Sequence, residues 1–405
     1  MATPVEELDL PLLDGGVYRD PELEVADLAR QSARGWLARF TFGYVVLDYD
    51  DVAALLRDKH LHQASSLVSQ LFTGEGTALD ELNRDGILSA EGEDHTRLRR
   101  LVAPPFSPRA IDQLRPFMSQ YVSELAVELA RDSTFVVDAP VALNRYPIAV
   151  ICHHLNVQRA DWDLFSRWAE TTFLLFSSEV KGQEDRIVRE IKEFSSYCTA
   201  LIDERRHHLS DDLISHLIEA EEEGDRLSTP EMVSLIQGII AAGTDTTRNQ
   251  LSTSLALLST RPDVWDELDG NPELATGVVE ESLRYLNPIR FVIRQVNESF
   301  EYRGVAFSKG TLLVFSLAGA NRDEGHFHDG GVFDPHRSGA REHLTFSSGI
   351  HFCLGAALAR AELQEALLAL RAHWVRIESA GDVVWKDSRL AVWGAQSVPL
   401  RVTRA

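Results

Sequence analysis

The chain has 405 residues, 44% of them hydrophobic and 25% charged, with a formal charge of −22. That length and apolar share are enough for the large buried core of an ordinary globular protein, and by length alone predict two or three domains. The acidic excess excludes a nucleic-acid binder, which needs a basic face to neutralise phosphates.

The segment before residue 21 carries Pro4, Pro11 and the acids Glu6, Glu7, Asp9 and Asp14, which predicts an extended arm and no secretory leader. Leu23 to Ala38 predicts a first helix, Phe42 to Leu47 a short strand, and Asp50 the cap of a helix ending at Leu56. From His62 to Ser89 periodicity gives way to Ser, Gly and Thr, the texture of a long functional loop. A helix with acids in its first turn begins at Glu91 and puts His95 and Arg99 on one face. Taken alone, that pair reads as solvated surface.

Ser107-Pro108 predicts the start of a helix reaching to about Arg131. Further helical stretches run from Asp138 to Leu155, from Arg159 to Ser177 and from Glu184 to His208, the last two joined by a polar, glycine-containing segment. Phe173, Leu174, Leu175 and Phe176 read as packing core before they read as ligand contacts. The strongest helix signal runs from Pro230 to Thr260, with Thr229 as cap. Its centre sets Asp245 and Thr246 beside Gly243, which costs ~1 kcal/mol in a helix interior. Such departures from local preference mark function, although a threonine bonding back to its own helix is the plain structural alternative.

A helix from about Pro272 carries Glu281 and Arg284, spaced to pair. Beyond Pro288, alternation predicts strands at Phe291 to Val296, Phe300 to Val305 and Thr311 to Phe315. Asn321 to His343 is a polar meander whose four histidines lack the spacing of a metal site. Leu354 to Trp374 reads as a helix and Val383 to Val402 as closing strands. No stretch of ~18 apolar residues predicts a membrane span. Cys152, Cys198 and Cys353 form no C-x-x-C pair, which argues against zinc or dithiol chemistry and suits a reducing cytoplasm.

Cys353 stands apart, because it lies between Gly349 and Gly355 and directly ahead of an apolar helix. Orphan backbone N–H groups and the positive dipole end favour a thiolate there, and the glycines let the backbone approach a flat object. A buried structural thiol is the commoner role for a free cysteine. The whole stretch from Phe346 to Gly355 matches F-x-x-G-x-H-x-C-x-G, and it resembles the haem-binding loop of the cytochrome P450 family. One departure is Ser347, where the family usually has glycine.

The resemblance extends to H-x-x-x-R at His95 and Arg99, A-G-x-D-T-T from Ala242 to Thr247, and E-x-x-R at Glu281 and Arg284, in the family's order. It implies a single mainly α domain over residues 1–405 with a smaller β-rich part, and haem b between a long central helix and the cysteine loop. It implies Cys353 as the axial iron ligand, with His95, Arg99, Ala242, Arg294, Phe346, His351 and Gly355 around the cofactor. Asp245 would relay protons and Thr246 would donate a hydrogen bond during dioxygen activation. Glu281, Arg284 and Arg337 would serve the fold, and the segment after His62 would roof the pocket. The activity implied is a soluble bacterial-type, cytoplasmic haem-thiolate monooxygenase that oxidises a lipophilic small molecule with O2. Electrons would come from a ferredoxin and its reductase, since the chain has no flavin, NAD(P)H or iron–sulfur segment; Arg97, Arg100 and Arg360 are the docking candidates. Val292, Ala242 and Trp393 are candidates to line the pocket. A peroxide-driven enzyme of the same fold and a haem sensor or carrier are the rival readings; the intact Asp245-Thr246 pair speaks against both.

Overall fold

The computed structural model describes residues 2–13, 21–32, 34–64, 77, 87, 89–130, 132–174, 180, 182–222, 225–387 and 392–404. The chain divides into two compact units. One comprises Met1–Ala64, Thr276–Cys353 and Val384–Gln396; the other comprises Ser65–Ala275, Leu354–Val383 and Ser397–Ala405. The fold is mainly α with a smaller β-rich part.

The first unit is built on a five-stranded sheet in the order Leu37–Phe40, Gly43–Val46, Leu312–Ser316, Phe291–Val296, Leu61–Gln63. Alternation along these strands sorts side chains to two faces. Leu37, Val46, Leu313 and Phe315 join Leu55 and Phe307 in one cluster, while Ala38, Val45 and Val314 join Leu28 in another. The first helix therefore ends at Ser32, not Ala38, because Leu37 and Ala38 are needed on opposite sheet faces. The next helix is Tyr49–Leu55, and its N-cap is Asp48 rather than Asp50. Asp48 does not cap it through its side chain, which instead takes the hydroxyl of Ser32. The strand predicted from Phe300 to Val305 is a hairpin of Phe300–Tyr302 and Val305–Phe307. Arg303 and Gly304, at φ 49° and 77°, make its two-residue turn, which needs positive φ at both positions.

The second unit is helical. Its longest helix, Thr229–Ser259, begins in a capping box of Ser228 and Glu231, so the cap is Ser228 and not Thr229. It packs against Arg145–His154, Trp162–Phe173, Glu184–His207 and Ala356–His373. Stacking of Trp168 on Phe194, with ring centroids 4.9 Å apart, joins the second and third of these. The helix predicted from Ser107 is two, Pro108–Asp112 and Arg115–Leu129. Pro116, in the first turn of the second, cannot donate to a preceding turn, which breaks the ladder there. The stretch predicted as helix from Asp138 begins instead at the end of a strand, Thr134–Asp138, in a three-stranded sheet with Pro399–Arg404 and Trp374–Ser379. Leu174 packs on Val180, Ile187 and Ile191. Leu175, Phe176 and most of the loop after Ala64 lie outside the described residues. No helix among the described residues is long and apolar enough to cross a membrane.

Candidate active site

The first unit holds Arg294, Phe346, His351 and Cys353. Cys353 is exposed at the end of its loop. The loop is closed by two backbone bonds, from Cys353 N–H to the Phe346 carbonyl at 2.9 Å and from Phe352 N–H to the Gly349 carbonyl at 3.1 Å. Between them Gly349–His351 forms a single 3-10 turn. Two residues adopt left-handed backbone, Ser347 at φ 63° and Gly349 at 72°. Gly349 needs its lack of a side chain, because a Cβ would lie 2.8 Å from the Leu56 carbonyl oxygen. Phe346 is buried under the loop, while Ile350 and Phe352 are exposed. Arg294 is buried in the sheet, and its Nη1 donates to Gln63 Oε1 at 2.5 Å and to the Ile293 carbonyl at 3.0 Å.

Trp393, a candidate pocket residue, is fully buried. Its ring stacks on Trp385 at 4.9 Å and carries the Arg290 guanidinium at 4.8 Å. Val292 packs against the main cluster of the sheet.

The second unit holds His95, Arg99, Ala242, Asp245, Thr246 and Gly355. The helix Gly92–Val102 places His95 in the interior, with Arg99 half-buried one turn later. Gly355 is the N-cap of Ala356–His373, and its carbonyl takes the Ala359 N–H at 2.9 Å. On the long helix Ala242 is exposed, and Thr246 sits one turn on, on the same stripe. The Thr246 hydroxyl donates to the Ala242 carbonyl at 2.7 Å. Its single proton is spent on the helix, so its lone pairs are what it offers outward. Asp245 is bound by Arg248, whose other terminal nitrogen lies 3.7 Å from Glu170. Gly243, by contrast, serves packing, because a Cβ there would lie 2.6 Å from Ile151 Cδ1.

Glu362 was not singled out from the sequence. It is buried in the helix that follows the cysteine loop, and both carboxylate oxygens lack a hydrogen-bond partner among the described residues. Burial pushes its pKa well above the usual carboxylate range, and the Thr247 side chain is the one influence opposing that. An acid at the Leu358, Glu362, Ala366 and Leu370 spacing, in an otherwise apolar stripe, is the signal that could have found it.

These residues fit a haem. Cys353 offers an accessible sulfur just before a helix N-terminus. The Ser347 hydroxyl is buried on the same loop with no partner among the described residues, a donor that a bound group can take up. His95, Arg99 and Arg294 are the cationic types that hold carboxylates. Among the described residues no group of three His, Cys, Asp or Glu side chains is placed to hold a further metal ion.

The cytochrome P450 family model matches residues 41–374. Luteothin monooxygenase of Streptomyces thioluteus is 33% identical over 97% of this chain and 96% of its own length. Mycinamicin IV hydroxylase/epoxidase of Micromonospora griseorubida is 35% identical over 81% of each. The solved structure of the bacillaene polyketide synthase cytochrome P450 PksS of Bacillus subtilis 168 superposes with a TM-score of 0.84 at 30% identity, covering 94% of this chain and 97% of that one. The chain belongs to the cytochrome P450 family, the haem b monooxygenases whose iron is held by a cysteine thiolate.

Proposed function

We propose that this enzyme hydroxylates or epoxidises a lipophilic, polyketide-like small molecule in the cytoplasm, using O2 and electrons from a ferredoxin and its reductase. The names of the relatives, a luteothin monooxygenase, a mycinamicin IV hydroxylase/epoxidase and a polyketide synthase P450, support that substrate class. Cys353 ligates the iron, and His95, Arg99, Arg294 and His351 hold the propionates. Phe346, Ala242 and Gly355 contact the ring. When bound, the haem supplies the activation of dioxygen, with the thiolate favouring O–O cleavage.

The observation that carries the reading is the accessible Ala242–Thr246 stripe with an acid beside it. Thr246 offers an alcohol to the pocket, and turning its proton away from the Ala242 carbonyl makes it a donor. Asp245, tethered by Arg248, sits where a carboxylate can pass protons inward from solvent once that tether loosens. Excluding water elsewhere keeps the protons on this path. Arg97, the exposed Arg100 and the half-buried Arg360 are the docking cations for an acidic donor.

The test is Thr246→Ala in the reconstituted system. Product per electron pair should fall about tenfold, with hydrogen peroxide rising to match, and Asp245→Asn should slow turnover by 10²-fold or so, a typical proton-transfer contribution. Unchanged product yield with both variants would reject the proton-relay reading. A haem sensor or carrier would show no electron-driven product in either form.

A further inference from the structure

We infer that Arg57 is a positioning residue for the iron-ligand loop, acting on Cys353 through Ser348. The inference rests on the reading of Cys353 as the haem ligand.

Arg57 follows the helix Tyr49–Leu55, far from the cysteine loop in sequence. Its Nε donates to the Ser348 hydroxyl oxygen at 2.7 Å. Ser348 is buried while Arg57 is exposed, so the bond reaches inward from the surface and is assisted by the arginine's charge. The backbone is just as close. A Cβ on Gly349 would lie 2.8 Å from the Leu56 carbonyl oxygen and 3.1 Å from Arg57 Cα. Residues 56 and 57 thus press on 348 and 349 through both main chain and side chain.

The grip matters because of where it falls. Ser348 and Gly349 open the 3-10 turn whose far end is Phe352, and the next residue is Cys353. Before the turn, Ser347 stands in left-handed backbone at φ 63°, which a residue with a side chain adopts only when its surroundings enforce it. Two backbone bonds close the loop across this point, Cys353 N–H to the Phe346 carbonyl and Phe352 N–H to the Gly349 carbonyl. A turn strained at Ser347 is steadied by a contact from outside the loop, and Arg57 supplies one at the next residue. Nothing in the family motif signals this, because Arg57 lies outside every motif and in the far N-terminal third of the chain.

The test compares Arg57→Ala, Ser348→Ala and the double variant with the parent holoenzyme. Lys59→Ala, an exposed nearby cation, serves as charge control. The first readout is the lifetime of the red-shifted ferrous–carbon monoxide band before it converts to the blue-shifted form lacking thiolate ligation. Both single variants should shorten it at least threefold. The double variant should shorten it no further, since the two side chains make one bond. Arg57→Lys should rescue only part, because an ammonium lacks the directed Nε–H. The second readout is hydrogen exchange of the Cys353 and Phe352 amides, expected to quicken about tenfold in Arg57→Ala at a temperature well below its unfolding midpoint. Parent-like lifetimes and exchange, or effects that multiply in the double variant, overturn the inference alone. A parent enzyme with no red-shifted band at all overturns the Cys353 reading, and this inference with it.

Discussion

Arg284 and Glu281 face each other as a fork, with Nε 2.7 Å from Oε2 and Nη2 2.7 Å from Oε1, and neither side chain is exposed to solvent. Burying two charges is expensive unless every donor and acceptor is met. Here they are. Arg284 Nη1 donates to the carbonyls of Asn321 and Gly330, both at 2.8 Å, and Nη2 to that of Val332 at 3.0 Å. Glu281 Oε1 also accepts from the Asp334 N–H at 2.8 Å and from Arg337 Nε at 3.2 Å. The pair ties one helix to the meander that leads to the cysteine loop. Its role is in the fold, as the E-x-x-R spacing and Arg337 implied. Arg284→Ala should cost about 3–5 kcal/mol by stranding the Glu281 carboxylate. Arg284→Lys should recover little, since a point charge cannot serve two carboxylate oxygens and three carbonyls. Urea midpoints that move by less than the equivalent of about 1 kcal/mol, the ceiling for an ordinary surface pair, would show the network to be dispensable.

A second prediction concerns the cysteine loop. Gly349→Ala puts a Cβ 2.8 Å from the Leu56 carbonyl oxygen at a residue with φ 72°. Main chain cannot yield as a flexible side chain can, so the variant should lose about 1–3 kcal/mol and shed haem faster. Haem transfer to an apo-acceptor protein measures the second effect. Parent-like release would mean that the loop has slack the geometry denies.

The sequence was most readable where chemistry or periodicity imposes a residue type. The long helix, the alternating strand at Phe291–Val296 and the helix after Cys353 all carry their pattern openly. What it hid were choices made by distant partners. Leu37 and Ala38 continue a helical pattern locally but belong to a sheet, because Val46 and Val45 pair with them. Thr229 and Asp50 look like caps, yet the neighbours Ser228 and Asp48 hold those places, a shift of one or two residues that depends on φ and ψ rather than composition. Gly243 is costly in its helix for no local reason, and Ile151, ninety residues earlier or so, packs where its Cβ would lie. Arg57 shows no signal at all, because the serine it grips is fixed by chain folding alone.

Glu362 gives a prediction with a definite sign. Burial raises its native pKa far above that of the unfolded chain. Above the ordinary value near 4.5 the unfolded state releases this proton and the native state keeps it, so the unfolded state binds fewer protons and stability falls as pH rises. Glu362→Gln keeps the shape and removes the titration. Its stability relative to the parent should therefore grow steadily from pH 5 to pH 8, in denaturation series run in parallel. A difference independent of pH would show that the native carboxyl is already ionised. The parent should also show an infrared band of a protonated carboxylic acid at neutral pH, absent in the variant.

His154 runs the opposite way. Its half-buried ring lies edge-on to Phe106, with centroids 5.7 Å apart, and its buried Nε2 has no partner among the described residues. Burial lowers its pKa from 6.5 to about 4, and His216 and His153 push the same way while Asp212 and Asp211 oppose them. A base with a depressed native pKa stays neutral in the fold while the unfolded chain takes up a proton. Between pH 6.5 and about 4 the unfolded state therefore binds more protons, and stability is lost as the pH falls through that window. Below it the native ring charges too, and the loss levels off. At ~1.4 kcal/mol per pKa unit, the full effect is on the order of 3 kcal/mol. His154→Leu removes the titration and the unpaired nitrogen together. The variant should match or exceed the parent at pH 7 and gain on it at pH 4.5. Many carboxylates also titrate in this window, but they are common to both proteins and cancel in the comparison. A parent-to-variant difference that stays constant from pH 7 to pH 4.5 would mean that His154 charges normally, and that the helix Arg145–His154 admits water where its burial says it does not.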